Sequence, residues 1–226
     1  MLFTKYGRRE LLLFGGVAAA LMAVVLVLTL RTFQVPVALL ISLPFVALFG
    51  WVLSFFRNPR RVPPEGELRL VAPADGVVSD IGEVDEPLFL GEKALRIGIF
   101  LSVFNCHVNR APCSGTVEKI VYRKGSFHSA LKTEHCSEHN ESNFIGLADA
   151  AGKDLRIGVR QIAGQIARRI VCELDEGSTI ERGQPFGMIK FGSRTELFVP
   201  VSAAFTLGVK LGQPVRAGQT IMGTLE

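Results

Sequence analysis

Two long apolar segments near the N-terminus constrain the fold of this chain more than any other feature. Residues 11–30 form a run of 20 residues without a charge, and residues 35–56 form a second uncharged run. At about 1.5 Å of rise per residue, such a helix spans roughly 30 Å, which matches the hydrocarbon core of a bilayer. Only a short polar segment separates the runs, so the sequence predicts a hairpin of two transmembrane helices, at about 11–30 and 35–56. Pro44 lies inside the second run, where it predicts a kink rather than an interruption.

A cleaved signal peptide is the alternative for the first run, because Lys5, Arg8 and Arg9 precede it. However, the run is long for a signal core, no small-x-small cleavage site follows it, and a second apolar run comes next. These features favour an uncleaved membrane anchor.

Basic residues flank the predicted hairpin on both sides, since Arg57, Arg60 and Arg61 follow the second run. The positive-inside rule therefore places the N-terminus and the large C-terminal part in the cytoplasm, on the cell (inner) membrane. A net charge of +4 suits a domain that lies on anionic headgroups. The sequence has no lysine-arginine run with interleaved aromatic residues, so nucleic acid is not an expected partner.

A connector rich in proline and arginine, residues 58–64, marks the predicted domain boundary. It separates an anchor and linker over residues 1–61 from a folded domain over residues 62–226. Short β-branched runs, bounded by glycine, proline and aspartate, predict strands at 76–78, 96–100, 115–117, 170–172 and 197–199. The segment 162–170 has isoleucines at helical spacing, but Gly164 and its β-branched content favour a strand. The domain is therefore predicted to be mainly β. Its four cysteines form no CxxC pair, so no disulfide framework is expected.

The domain contains a partial internal repeat. Residues 177–184 and 212–219 share the pattern G-x-x-[IV]-x-x-G-Q, and an apolar strand follows each. This turn resembles the hairpins of barrel-sandwich domains of the biotinyl and lipoyl type. Two similar turns that arose independently are the alternative.

Three polar positions stand out among the apolar strands. The carbonyl of Gly192 is unshielded, because glycine has no Cβ, and the hydroxyl of Ser193 can attack it. The acyl group then moves from nitrogen to oxygen, and β-elimination followed by loss of ammonia leaves a pyruvoyl group. His107 carries the side chain best suited to proton transfer near neutral pH. Asp75 precedes a glycine, a pair that is also typical of an ordinary turn. Together, Asp75, His107 and Ser193 are a set in which a carboxylate orients an imidazole that takes the serine proton.

Several segments resemble a known family. APADG at 72–76, FNCHVNRAP at 104–112, and the tail RRIVCELDEGSTIERGQPFGMIKFGSR at 168–194, behind a membrane lead-in, are similar to the phosphatidylserine decarboxylase proenzymes in their short form. That group includes archaetidylserine decarboxylase-like members. The similarity covers essentially all of residues 62–226, and its most specific parts are HVNRAP and IKFGSR.

The resemblance implies a self-cleaving, pyruvoyl-dependent enzyme. Cleavage between Gly192 and Ser193 would give a β chain of residues 1–192 and an α chain of residues 193–226, which stay associated and are expected to form a homo-oligomer. Ser193 would become the covalent pyruvoyl cofactor, which forms a Schiff base with the serine headgroup of a phospholipid and accepts electrons as CO2 leaves. Asp75 and His107 match positions implicated in self-cleavage and catalysis. Which group is the base in cleavage and which is the proton donor in decarboxylation stays open. This chain has Arg110 where longer members carry a second histidine, and Asn105 where short members often carry aspartate.

Two other functions fit part of the pattern. Lys190 lies in a hairpin context where biotinyl or lipoyl domains carry a modified lysine, which would make the chain a membrane-tethered carrier. A membrane serine hydrolase would use the same three polar residues, but the G-x-S-x-G elbow is absent.

Further polar residues are weaker candidates for binding. His135 and His139, with a cysteine and two glutamates nearby, have a spacing that can bind zinc, but their polar surroundings favour a solvated loop and no metal. His128 is likewise expected at the surface. By charge, candidate phosphate partners are Arg110, Lys190 and Arg194.

Overall fold

The computed structural model describes residues 3–66, 68–128, 136–137, 139–164, 169–190 and 193–226. The chain divides into two compact units, Met1–Arg60 and Arg61–Glu226. The first unit is helical and the second is mainly antiparallel β.

The first unit contains the two apolar helices, α1 (Arg8–Thr32) and α2 (Val35–Phe55), after a 3-10 turn at Lys5–Gly7. The turn between them begins at Phe33, whose backbone is extended, and Pro36 lies in the first turn of α2, where no backbone N–H is needed. Pro44 lies inside α2, and the helix runs on past it. Both helices are long and apolar enough to cross a membrane, by length and composition alone.

The second unit consists of short strands in the described part of the chain. They are β1 (Arg69–Val71), β2 (Gly76–Glu86), β3 (Glu92–Leu101), β4 (Val108–Arg110), β5 (Gly115–Arg123), β6 (Ser142–Ala148), β7 (Ile157–Ala163), β8 (Ile170–Cys172), β9 (Thr179–Ile180), β10 (Pro185–Ile189), β11 (Ser193–Pro200), β12 (Phe205–Leu207), β13 (Pro214–Val215) and β14 (Ile221–Leu225). The segments predicted as strands are confirmed as strands. In the ambiguous segment, Ile162 lies in β7 and Ile170 in β8, whereas Ile166 lies outside the described residues.

The strands form an eight-stranded sheet in the order β13-β2-β3-β11-β7-β6-β5-β9 and two three-stranded sheets, β1-β14-β12 and β4-β10-β8. In the large sheet β11 lies between β3 and β7 and is antiparallel to both. The buried core consists of apolar side chains from both kinds of sheet, including Leu70, Ile97, Ile99, Leu197 and Val199.

One row of paired residues defines an end of the large sheet. The row runs Val77, Phe100, Arg194, Ile162, Ser142 and Arg123. The next position outward is Ser193, opposite Leu101 and Ala163. We call this end of the sheet, with the loops that leave it, the Ser193 edge.

The two copies of the internal repeat have matching backbone conformations and hydrogen bonds in the fold. Its four glycines have positive φ angles, which favour glycine: Gly177 (86°), Gly183 (78°), Gly212 (78°) and Gly218 (71°). Equivalent bonds join each repeat to the chain, because the N–H of Gly183 donates to Ala111 and that of Gly218 donates to Ala72.

A second repeated pattern, A-P-x-x-G-x-V at 72–78 and 111–117, underlies this symmetry. It makes Asp75 and Ser114 equivalent. The Asp75 carboxylate accepts from the N–H of Ala217 at 2.8 Å, and the Ser114 hydroxyl accepts from the N–H of Arg182 at 3.1 Å. Asp75 and Ser114 therefore share a structural role, because each accepts a hydrogen bond from one of the two repeated turns.

Candidate active site

Ser193 begins β11 and lies at the Ser193 edge. Its side chain is fully buried, and its Oγ has no hydrogen-bond partner among the described residues. Leaving a buried polar group unpaired costs about 1–3 kcal/mol and is unusual in native proteins. The hydroxyl is therefore a candidate for chemistry. Gly192, on the other side of the predicted cleavage bond, lies outside the described residues.

His107 lies directly before β4 and is fully buried. Its Nδ1 is 3.0 Å from the carbonyl oxygen of Asn105. Because a carbonyl oxygen only accepts, Nδ1 carries the hydrogen in the neutral ring and Nε2 is the acceptor. This tautomer is the one in which Nε2 can take a proton.

Backbone pairing brings His107 beside the segment that leads to Ser193. Val108 of β4 lies opposite Met188 of β10, and the N–H of Ile189 donates to the carbonyl oxygen of His107 at 3.3 Å. Ile189 precedes Ser193 by four positions. The fold thus places these two predicted site residues in one region of the domain.

Asn105 shapes the loop that carries His107. Its Oδ1 accepts hydrogen bonds from both the N–H and the hydroxyl of Ser102, each at 2.8 Å. This turn fixes the Asn105 carbonyl that receives the His107 N–H. In the sequence Asn105 is only a departure from a family pattern, and its role in orienting His107 is visible only in the folded chain.

Asp75 is buried and bonds to groups other than His107 in the described contacts. The Arg61 guanidinium binds both carboxylate oxygens, with Nη2 at 2.7 Å from Oδ2. The same guanidinium donates to the carbonyl oxygen of Ala217 at 2.8 Å. The arrangement therefore differs from the predicted one, because the imidazole of His107 is oriented by a backbone carbonyl while the carboxylate of Asp75 holds Arg61.

Arg61 is a site residue that sequence reasoning missed, since it was counted only as a basic residue of the linker. Burial opposes its charge, but the hydrogen bonds and the charge of Asp75 outweigh this effect and raise the pKa of Arg61. Cys106, the residue before His107, is also close enough to contribute to that shift. The pair of Arg61 and Asp75 consequently lies near the loop that carries His107.

A buried amide network joins the strand after His107 to the strand that begins with Ser193. The Nδ2 of Asn109 donates to the Thr195 hydroxyl at 3.0 Å, and the Nε2 of Gln161 donates to the Oδ1 of Asn109 at 2.9 Å. Thr195 and Ser193 lie on the same face of β11, because side chains alternate along a strand. Satisfied buried networks of this kind rigidify a core, so the network fixes β4 against β11.

The opposite face of β11 carries a buried charge cluster. Arg194 and Glu196 are both fully buried, with Nε 2.9 Å from Oε1, and Arg160 donates from Nε to the other oxygen at 2.7 Å. Asp80 lies 2.5 Å from the Arg194 guanidinium, and the Ser137 hydroxyl donates to Glu196 at 2.6 Å. Burial alone would raise the pKa of Glu196, but Arg160 and Arg194 lower it to about 2.

This shift predicts an acid-sensitive contribution to stability. The folded pKa of Glu196 lies below its ordinary value of 4.5, so the stabilisation is present above pH 4.5 and is lost as the pH falls towards 2. Its size is roughly 3 kcal/mol. We expect Glu196→Gln to lower the free energy of unfolding near neutral pH and to flatten its acid dependence. Unfolding of the full chain in detergent, followed against pH, measures both effects.

Glu118→Gln is the matched control, because Glu118 forms an exposed pair with Arg156. Exposed pairs contribute about 0–1 kcal/mol, so this variant is expected to resemble the unsubstituted protein. Equal acid profiles for Glu196→Gln and Glu118→Gln would contradict the prediction.

The three cations predicted as phosphate partners are all buried. Arg194 lies in the charge cluster, Arg110 donates to the carbonyl oxygen of Gly183 at 2.9 Å, and the N–H of Lys190 donates to the carbonyl oxygen of Arg169. Burial of Lys190 also disfavours the carrier hypothesis, because a lysine that is to be modified has to be accessible.

Only some residues of the candidate zinc segment are among the residues that the structure describes. His128 and His139 are exposed, with ring centroids 6.4 Å apart, whereas His135 and Glu138 are not among the described residues. Within the described ranges, no three His, Cys, Asp or Glu side chains gather as metal ligands would.

Comparisons with known proteins identify the class of protein. The family model described as phosphatidylserine decarboxylase matches residues 48–223. A phosphatidylserine decarboxylase proenzyme of Carboxydothermus hydrogenoformans is 48% identical over 179 residues, which is 79% of this chain and 82% of the relative. The proenzyme of Rhodopirellula baltica is 42% identical over 221 residues, or 97% of this chain and 86% of the relative. The chain is thus an enzyme of the carboxy-lyase class. It belongs to the phosphatidylserine decarboxylase family, whose proenzymes use a covalent pyruvoyl group.

Proposed function

We propose that the chain cuts itself between Gly192 and Ser193 and then decarboxylates phosphatidylserine to phosphatidylethanolamine and CO2. The observation that carries the proposal is the Ser193 hydroxyl, which is buried without a hydrogen-bond partner in the described part of the chain. Family membership supplies the reaction and the substrate class.

In the self-cleavage step the Oγ of Ser193 attacks the carbonyl carbon of Gly192. The C–N bond breaks as the C–O bond forms, and the nitrogen becomes the free amine of Ser193. Nε2 of His107 is the group we assign to take the hydroxyl proton, because the Asn105 carbonyl keeps the hydrogen on Nδ1. Removal of the Ser193 Cα proton then expels the new carboxylate of residue 192. Water finally replaces the nitrogen, which leaves as ammonia.

The residues present fit a pyruvoyl group at position 193. The Ser193 side chain has no hydrogen-bond partner among the described residues, and β11, paired on both sides, holds it rigidly. Once formed, the group acts as an electron sink for decarboxylation. His107 stays within the buried region and is the residue we assign to hold or return a proton during turnover. Asp75, with Arg61, acts as a positioning group for this region.

The finer anatomy of the chain is part of the same proposal. A β chain of residues 1–192 and an α chain of residues 193–226 would stay associated, because β11 pairs with β3 and β7 along most of its length. A homo-oligomer is expected. The repeated turns and their matched hydrogen bonds support a relationship to the barrel-sandwich domains of biotinyl and lipoyl type.

We further propose that α1 and α2 cross the inner membrane and that residues 1–61 form the anchor and linker. Their length and apolar composition support a crossing. Basic residues at the N-terminal end of α1 and after α2 favour a cytoplasmic N-terminus and a cytoplasmic domain. This topology holds the site against the leaflet, so that the lipid need not leave the bilayer at a cost of ~0.8 kcal/mol per exposed CH₂.

The proposal predicts a strong preference for a membrane substrate. Purified full-length protein in detergent or vesicles should release CO2 from phosphatidylserine. Glycerophosphoserine and free serine should react far more slowly, because they lack acyl chains and membrane localisation. Equal rates for lipid and water-soluble serine compounds would overturn the lipid assignment, and a detergent micelle without lipid serves as the blank.

A further inference from the structure

Two exposed aromatic side chains flank Ser193 at the Ser193 edge. Phe104 lies in the loop after β3, three positions beyond Leu101, the partner of Ser193, and is 71% exposed. Phe127 lies in the loop after β5 and is 37% exposed. A single exposed aromatic side chain is ordinary on a protein surface, and what distinguishes these two is that both lie on loops at the Ser193 edge.

The Phe127 loop is fixed to the same edge by hydrogen bonds. The N–H of Glu141 donates to the carbonyl of Ser126 at 3.1 Å, and the N–H of Ala163 donates to the carbonyl of Glu141 at 2.9 Å. Ala163 is the other neighbour of Ser193. The two aromatic loops therefore leave one edge of the sheet from β3 and β5. These strands are four steps apart, or about 19 Å along the sheet at ~4.8 Å per step.

Exposed cations lie on the same edge. Lys124 directly follows β5, Arg216 directly follows β13, and Arg169 directly precedes β8. The carbonyl oxygen of Arg169 bonds to Lys190, three positions before Ser193. Two acidic residues of the same edge, Asp75 and Glu141, are buried. The exposed charge contributed by these residues is thus positive.

We propose that the Ser193 edge is a membrane-contact surface, with Phe104 and Phe127 inserted at the lipid interface and Lys124, Arg169 and Arg216 on anionic headgroups. Phenylalanine is typical of the apolar face of segments that insert at the membrane interface, and basic side chains are attracted to anionic leaflets. The occupant is a lipid surface rather than a protein, because the domain follows two apolar helices by a short linker and because its substrate class is an anionic lipid. This inference rests on the proposed function and deepens it.

Tryptophan fluorescence tests the surface without relying on activity. Trp51, the only tryptophan, is replaced by phenylalanine in the full chain, and Phe104→Trp or Leu211→Trp is added. Leu211 is the matched control: it is 66% exposed but precedes β13, near the level of Asp80, at the end of that strand that points away from the Ser193 edge. In vesicles that contain phosphatidylserine and brominated lipid, Phe104→Trp should show blue-shifted, quenched emission. The emission of Leu211→Trp should stay red-shifted and unquenched.

Several outcomes would contradict the proposed membrane-contact surface. Unquenched, red emission from Phe104→Trp would do so, and so would quenching equal to that of Leu211→Trp. Blue-shifted emission without quenching would place protein, such as a second copy of the chain, on this edge. Because the readout is optical, a chain that failed to decarboxylate lipid would still report whether the edge meets the bilayer, so the two proposals fail separately.

Kinetics give a second measurement on the surface. Phe104→Gln with Phe127→Gln should raise KM for phosphatidylserine in vesicles while leaving the rate on a dispersed short-chain phosphatidylserine unchanged. Lys124→Gln should raise the KM for phosphatidylserine in vesicles about fivefold, and this increase should be smaller at high salt. Equal losses on vesicle and dispersed substrate would assign these residues to folding and contradict the proposal.

Discussion

Ser193→Ala is expected to leave a single uncut chain that does not release CO2, with a loss of activity greater than ~1,000-fold. The reason is that alanine has neither the oxygen that attacks residue 192 nor the atoms that become the pyruvoyl group. Because the hydroxyl has no partner in the described part of the chain, its removal should cost little stability. Intact-mass analysis and thermal unfolding of the same preparation measure both properties.

Ser193→Cys is the informative companion, because a thiol keeps a nucleophile at the same position. Slow or partial cutting is expected, with a product of the size of residues 193–226. In the unsubstituted protein, the small fragment should start with a group that blocks Edman sequencing. A full-length mass in a preparation that decarboxylates lipid would rule out self-cleavage as the source of the active group.

Arg61→Gln is expected to have the second large effect, because it leaves the buried Asp75 carboxylate without its cation. Removing one partner of a buried ion pair costs about 3–5 kcal/mol, and here the pair lies near the loop of His107. We expect lower stability and slower self-cleavage, partly restored by Arg61→Lys. Time courses of cutting, on gels, and thermal unfolding measure the two effects.

Arg60→Gln is the matched control, since Arg60 is the exposed neighbour with the same charge. A double-mutant cycle separates the pair from general linker effects. If Arg61 acts through Asp75, then Arg61→Gln should change little when Asp75→Asn is already present. Additive effects, or identical behaviour of Arg61→Gln and Arg60→Gln, would contradict the role inferred from the contacts.

Local patterns made much of this protein predictable. The two apolar helices were predictable because an uncharged run of sufficient length has few alternatives, and the strands followed from β-branched segments bounded by turn residues. The observed helices, Arg8–Thr32 and Val35–Phe55, differ from the predicted bounds only near their ends. The predicted repeat was visible in its glycines, since positive φ angles restrict the residue type.

The arrangement around the predicted site residues was harder to predict. Asp75, His107 and Ser193 were named from chemistry and from resemblance, and their roles stay predictions. The pattern suggested that Asp75 orients His107, whereas the described contacts give that task to the Asn105 carbonyl. The partner of Asp75 is Arg61, which no spacing rule connects to it.

The sequence by itself determined the classes of structure and chemistry: two apolar helices, a mainly β domain, and a serine behind a glycine in a family-specific tail. Tertiary structure decided which groups meet. Residues 61, 75 and 217 converge because the turn at residues 212–219 is hydrogen-bonded to the segment that carries Asp75, and residues 107 and 193 share one region because β4 pairs with β10. The length of an apolar run and the turn preferences of individual residues depend on short stretches of chain, so they can be predicted from the local sequence. Hydrogen-bond partners depend on strand register between distant segments, and only the folded chain sets that register.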